Sequence, residues 1–220
     1  IRRFSLQSKV VLMTSAVLIV LPALYFFFYE YNRETIHDRT IHSLFQSVTT
    51  RTAGFNTTDL AAMDESGTAI MIILMLIGGS PGSTAGGMKT TTFAVLFLSA
   101  ITVLSRRNDV QCFKRRISDE AVRSAGAVLF MYLVLFFTSG IIISRVENLP
   151  LLTCLFETSS AIGTVGLSLG ITSSLSAVSR VILMILMFFG RVGGLTLIYA
   201  ALPSTDSKNS RLPLEKISVG

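Results

Sequence analysis

The sequence predicts an all-α membrane protein built from two tandem helix, re-entrant loop, helix repeats. Three observations predict it. Half of the 220 residues are hydrophobic and only 15% are charged, with a mean hydropathy of +0.64, against the roughly 25% charge of a soluble domain. The apolar residues gather into blocks, the first of them close to the ~20 residues that cross a hydrocarbon core as a helix. The order of long block, short block, glycine turn and long block then occurs twice in the same orientation, unlike an inverted repeat. The net charge of +6 comes from Lys and Arg in short clusters between the blocks, with no continuous basic stripe, which disfavours nucleic acid as a partner.

Residues 10–28 form an uncharged run with Pro22 inside it and an aromatic end, Tyr25 to Tyr29. This reads as a first spanning helix with an interfacial belt and not as a secretory signal, whose apolar region would be about 7–15 residues. Residues 40–50 place Ile41, Leu44, Phe45 and Val48 at helical spacing but are too short to span. A re-entrant helix followed by the turn at 51–56 is the economical reading. A second apolar helix, 68–104, is broken at 78–87 by the sequence GGSPGSTAGG. Residues 105–116 carry Arg106, Arg107, Lys114, Arg115 and Arg116 against Asp109. That bias marks a cytoplasmic loop, and Arg2, Arg3 and Lys9 at one end and Lys208, Arg211 and Lys216 at the other agree, so both termini of the chain are expected in the cytoplasm. The order then recurs: a spanning helix at 125–143, an outer turn at 144–150, a short helix at 151–161, a glycine-containing loop at 163–170 and a last spanning helix at 181–202. The repeats divide the chain at 1–116 and 117–220.

Both short helices end in the same pattern: Thr52, Ala53, Gly54, Phe55 and Thr164, Val165, Gly166, Leu167. Glycine can take positive φ, so such a turn can aim successive carbonyl oxygens one way, and rings of carbonyls replace the water shell of a cation. The plainer reading is a small-residue packing turn. The recurrence at matching positions favours a pore loop for a cation, of the general kind found in tetrameric channels, with Gly54 and Gly166 as its central residues. The break between the half-helices comprises Gly78, Gly79, Ser80, Pro81, Gly82, Ser83, Thr84, Ala85, Gly86 and Gly87, followed by Lys89. It is either a kink or a gate across the pore. A phosphate loop is excluded by spacing, since Met88 separates Gly87 from Lys89 and no strand precedes it. Arg191 stands mid-helix, where a charge costs at least about 2.5 kcal/mol, so it needs an interior or aqueous partner; the broken-helix loop is the expected one.

Other polar residues carry less. His37 and His42 read as surface residues, and Cys112 and Cys154 have neither disulfide-framework nor metal-ligand spacing. Asn56 opens a glycosylation sequon, discounted because it follows the glycine turn directly. Glu157 is either an uncompensated charge near the ion path or bonded to backbone behind it. Arg51 reads as a structural anchor, because a positive charge in the path would repel cations. No enzymatic site and no cofactor are expected.

The segments TRTAGFN at 50–56, GGSPGSTAGGMK at 78–89, GTVGL at 163–167 and GRVGGL at 190–195 together resemble the Trk/Ktr/HKT superfamily of potassium transporters, nearest to the bacterial Ktr membrane subunit. The resemblance implies four repeats of the potassium-channel-like type around one pore, of which these match the third and fourth. The chain, which starts at Ile1, then reads as the C-terminal half of a subunit whose first two repeats are its partner. It further implies that the cation is K+, held at Gly54 and Gly166, with uptake coupled to or activated by Na+, a gating role for the 78–87 loop with Arg191, a homodimer, and a multi-pass place in the lipid of the cell membrane. A cytosolic nucleotide-binding ring touching the basic loop and tail is implied as well. Two other readings stay open on the sequence: a two-repeat channel subunit that pairs to complete a pore, and a non-conducting sensor or scaffold module.

Overall fold

The computed structural model describes residues 5–107, 109–113 and 115–193. Helix α1, Leu6–Tyr25, starts where the Ser5 side chain accepts the Ser8 N–H at 3.2 Å, and it runs through Pro22. It then widens into a π-helical turn, Phe26–Glu30. Arg39 closes this end: its guanidinium lies 4.1 Å from the Phe27 ring centroid and its Nε donates to the Phe27 carbonyl, one of the acceptors a helix end leaves open.

Helix α2, Ile36–Thr49, begins four residues earlier than the apolar pattern suggests. The start is set by Thr35, whose hydroxyl accepts the Asp38 N–H and donates to the Asp38 carboxylate at 2.6 Å. Its polarity is reversed relative to a helix of a water-soluble core. Gln46 and Ser47 are fully buried while Ile41 and Leu44 are 48% exposed, as suits a helix with polar partners inside and apolar surroundings outside. The Ser47 hydroxyl donates to the Ile19 carbonyl of α1 at 2.7 Å.

The broken helix resolves into α3, Glu65–Leu76, and α4, Thr90–Leu104. The basic loop after α4 contains a small antiparallel hairpin, β1 Gln111–Cys112 and β2 Arg115–Arg116, with Gln111 opposite Arg116. The strands were not foreseen, because two residues are too few to show alternation. Helix α5, Asp119–Glu147, is ten residues longer than its apolar stretch: Ser118 caps it ahead of the charged first turn, and it ends at Asn148 in the left-handed region, φ 54°. The outer turn is therefore confined to residues 148–150.

Helix α6, Leu151–Ile162, is the centre of the molecule and packs against α3, α5 and α7. Helix α7, Ala177–Val192, is capped by Ser176 and tied to the end of α5 by the Glu147 carboxylate, which accepts from the Ser176 N–H at 3.0 Å and from the Ser179 hydroxyl. The helix starts four residues before the expected 181 and ends at Val192, where Gly193 takes φ 87°, so Arg191 stands in its last turn and not mid-helix as the apolar stretch suggested. Residues 194–202, with Gly194 and Leu195 of the motif, and the charges at Arg2, Arg3, Lys114, Lys208, Arg211 and Lys216 lie outside the described residues.

Among the described residues, Leu6–Glu30 and Asp119–Glu147 are long and apolar enough to cross a membrane. Only 28% and 33% of their apolar windows are buried in the protein. A core helix of a soluble domain would bury most of its surface, so the outward Leu12, Met13, Leu21 and Phe130 fit lipid better than water.

Candidate functional site

The turns that leave α2 and α6 share one backbone signature. Thr52 and Gly54 have φ of 74° and 73°, and Thr164 and Gly166 have φ of 51° and 94°, while Ala53 and Val165 between them stay in the ordinary half of the map. A threonine in the left-handed region costs roughly 1–2 kcal/mol, so each turn is held open by something. In the first, the Ala53 and Gly54 N–H groups both donate to the Thr49 carbonyl, at 3.1 and 3.2 Å, and the Thr49 hydroxyl donates to the Phe55 carbonyl. In the second, Val165 N–H donates to the Ser160 carbonyl at 2.9 Å and Gly166 N–H to the Ser160 hydroxyl at 3.2 Å. The donors are spent on the preceding helix, and the acceptors are left over. Among the described residues no donor is bonded to the carbonyls of Thr52, Ala53 or Gly54, nor to those of Thr164, Val165 or Gly166.

The two turns meet. The Thr52 hydroxyl donates to the Gly163 carbonyl at 3.4 Å. A side chain at Gly54 would place its Cβ 2.0 Å from the Val165 carbonyl oxygen, so the approach and the positive φ both require glycine there.

Behind the second turn lies Glu157, 4% exposed. Its carboxylate accepts from the Ser168 hydroxyl at 2.6 Å, the Leu169 N–H at 3.1 Å and the Thr172 hydroxyl at 2.9 Å. Of the two sequence readings, the structure selects the bonded one: Glu157 ties down residues 168–172.

The segment between α3 and α4 is pinned at its base. Ile77 and Met88 pair across the break, with Gly78 N–H donating to Met88 O at 2.8 Å and Met88 N–H to Leu76 O at 3.1 Å. At its tip Ser83 N–H donates to Ser80 O at 3.0 Å, around Pro81 and Gly82 at φ 85°, the residue pair a type II turn requires. Three cations reach its carbonyls. Lys89 Nζ donates to Ala85 O at 2.5 Å, Arg191 Nη1 donates to Thr84 O, and Arg51 Nη2 lies 3.5 Å from Gly78 O. Such bonds satisfy backbone that a helix break frees and give each cation a partner, half-buried at Arg51 and Lys89 and exposed at Arg191. Gly79 and Ala85 line a recess of about 430 Å³ together with Arg51, Thr52 and Ala53 of the first turn. A second recess of about 430 Å³ is bordered by Glu157, Thr164, Gly166, Leu167 and Arg191.

The remaining singled-out residues stay apart from this cluster. His42 pairs with Glu34 at 2.7 Å, and Cys112 and Cys154 are both free thiols. Sequence reasoning missed one contact inside the site: the Gly86 N–H donates to the Thr164 hydroxyl at 3.0 Å, joining the broken-helix segment to the second turn. It also missed Thr49 and Ser160 as the groups that collect the turn donors. A hydroxyl residue in the last turn of a helix, just ahead of a glycine turn, was the available signal.

The sequence profile of the TrkH family, described as "Cation transport protein", matches residues 2–210. The chain is 36% identical to "Ktr system potassium uptake protein D" of Bacillus subtilis (strain 168), over 99% of this chain and 49% of that protein. It is 35% identical to "Ktr system potassium uptake protein B" of the same organism, over 100% of this chain and 50% of that protein. "Potassium/sodium uptake protein NtpJ" of Enterococcus hirae is 33% identical over 100% and 51%. The crystal structure of the potassium transporter TrkH from Vibrio parahaemolyticus superimposes with a TM-score of 0.72 at 21% identity, over 89% of this chain and 44% of that one. The chain thus spans about half the length of the relatives it matches. A profile match over nearly the whole chain, on a helical fold shared with a solved relative, assigns it: this chain belongs to the TrkH family of cation transport proteins.

Proposed function

We propose that this chain forms one side of a pathway for potassium uptake across the cell membrane, with residues 52–55 and 164–167 as parts of its selectivity filter and residues 78–87 as its gate. The observation that carries the reading is the paired backbone signature. Two turns alternate the sign of φ at the same positions and leave six carbonyls without a donor among the described residues. Alternating handedness lets successive carbonyls face one way, and such oxygens can stand in for the hydration shell of K+. The C-terminal ends of α2 and α6 lead into these turns, and each brings about half a negative charge, which favours a cation. The names of the relatives, potassium uptake proteins and a potassium/sodium uptake protein, agree with a K+ path in which Na+ also takes part.

Two turns cannot encircle an ion. The pathway therefore needs two further turns from an N-terminal half of the same subunit, with 1–116 and 117–220 serving as its third and fourth repeats. In the gate, Lys89 and Arg191 hold the segment by its carbonyls, so that it lies across the path until those bonds are released. A homodimer with a cytosolic nucleotide-binding ring against the basic 105–116 loop completes the proposed assembly.

The test is ⁸⁶Rb+ uptake by the full-length protein in liposomes. Uptake that K+ competes with better than Na+ does, and that Na+ on one side stimulates, is the expected result. Liposomes no more permeable than empty ones would overturn the reading.

A further inference from the structure

The two turns differ at their first residue. The Thr52 hydroxyl donates to Gly163 O. The Thr164 hydroxyl instead accepts a hydrogen bond from Gly86 of the segment between the half-helices, at 3.0 Å. The approach is as close as a backbone allows. A Cβ at Gly86 would lie 2.4 Å from Thr164 Oγ1, 2.6 Å from Thr164 Cγ2 and 3.0 Å from Gly163 O. Two residues earlier, Thr84 O is the acceptor for Arg191. Any motion that clears residues 84–86 from the path must therefore break the Arg191 bond and the Thr164 bond together.

A hydroxyl oxygen that accepts an N–H presents that donor's positive end to anything else approaching the same side. A cation and the Gly86 N–H thus compete for one oxygen. We propose that the Thr164 hydroxyl is a shared ligand: with the segment in place it latches Gly86, and with the segment displaced it joins the free carbonyls in holding the cation. Occupancy at the base of the second turn and displacement of the segment are then linked, and linkage is reciprocal: K+ at this position favours the displaced segment, and the latched segment weakens K+ binding there. This rests on the filter and gate assignments above and deepens them by naming the residue that couples the two.

The experiment uses the full-length protein in liposomes, its native cysteines replaced and a nitroxide attached at S83C near the tip of the segment. The mobile fraction of the label is read by electron paramagnetic resonance, with K+ or with an impermeant organic cation. In the parent protein K+ raises the mobile fraction. T164V removes the acceptor and is expected to raise the mobile fraction about 2- to 10-fold without K+, the equivalent of one hydrogen bond, and to blunt the K+ response. T164S keeps the hydroxyl and is expected to match the parent, which separates the latch from a general loss of packing. G86A pushes the segment away but spares the hydroxyl, so mobility rises while the preference for Rb+ over Na+ is kept; T164V lowers that preference. A T164V label as immobile and as K+-responsive as the parent's overturns the latch. Equal cation preference in T164V and G86A overturns the shared ligand. Absence of flux from the parent would instead count against the transport reading, since the label reports the latch whether or not ions pass.

Discussion

The turn after α2 and the turn after α6 have nearly the same backbone and quite different surroundings. Ala53 and Phe55 of the first are exposed, Phe55 by 73%, whereas Val165 and Leu167 of the second are only 6% and 3% exposed. The second is also cross-braced on one side by the three bonds to Glu157 and on the other by Gly86. The first leans on Thr49 and, more loosely, on Arg51, whose Nη2 lies 3.5 Å from both Ser15 Oγ and Gly78 O. The first turn is thus held mainly by the helix that precedes it, whereas the second is held by its preceding helix on both its near and far sides and also by a backbone donor from the distant segment between α3 and α4.

Substitution of the two central glycines tests that difference most severely. Gly54→Ala puts a Cβ 2.0 Å from a backbone oxygen at a positive φ, so the first turn must deform, and Rb+ uptake by the full-length protein is expected to fall to background. Gly166→Ala meets nothing within 4 Å and bears only the left-handed strain of an L residue, so a loss of about tenfold is expected. Equal losses would mean that contact between the turns is unimportant.

The bracing by Glu157 comes next. Glu157→Ala leaves Ser168, Leu169 N–H and Thr172 without their acceptor, and a drop in unfolding free energy of about 2–4 kcal/mol is expected, seen as a lower thermal midpoint in detergent. Glu157→Gln keeps an acceptor oxygen and is expected to recover most of this stability. Removing the looser anchor, Arg51→Ala, is expected to cost less, within about 1 kcal/mol, because its bonds are long. A larger effect at Arg51 than at Glu157 would reverse the comparison.

The smallest effect is expected at Arg191→Gln. Its amide can still donate to Thr84 O but lacks the charge, so basal flux should rise a few-fold with cation preference unchanged. The same flux assay reads both quantities.

The unequal bracing also explains what could be read beforehand. The turns themselves were legible, because Thr and Gly at fixed positions after a short apolar block are local signals. Thr49 and Ser160 act within six residues of their partners and were within reach of the same reasoning. Glu157 was not, since its partners follow it by 11 to 15 residues and hydropathy says nothing about which way a carboxylate faces. The helices show the same division. The apolar blocks marked where α1 and α5 meet lipid, but their ends are fixed by Ser5 and Ser118 and by the left-handed Asn148, beyond the oily stretch. Hydropathy measures the membrane; caps measure the helix.

The pairing of Ile77 with Met88 has a consequence for how the molecule can vary. Because the two half-helices are stitched together at the break, α3 and α4 keep their relative register whatever hangs between them. The tip turn, Ser80 to Ser83, is then the part whose length can change without re-threading the rest of the fold, since Gly79 O accepts from Thr90 N–H and Thr84, Ala85 and Gly86 are bonded to Arg191, Lys89 and Thr164. A change in this tip can thus arise by insertion or deletion alone, with the surrounding helices left as they are.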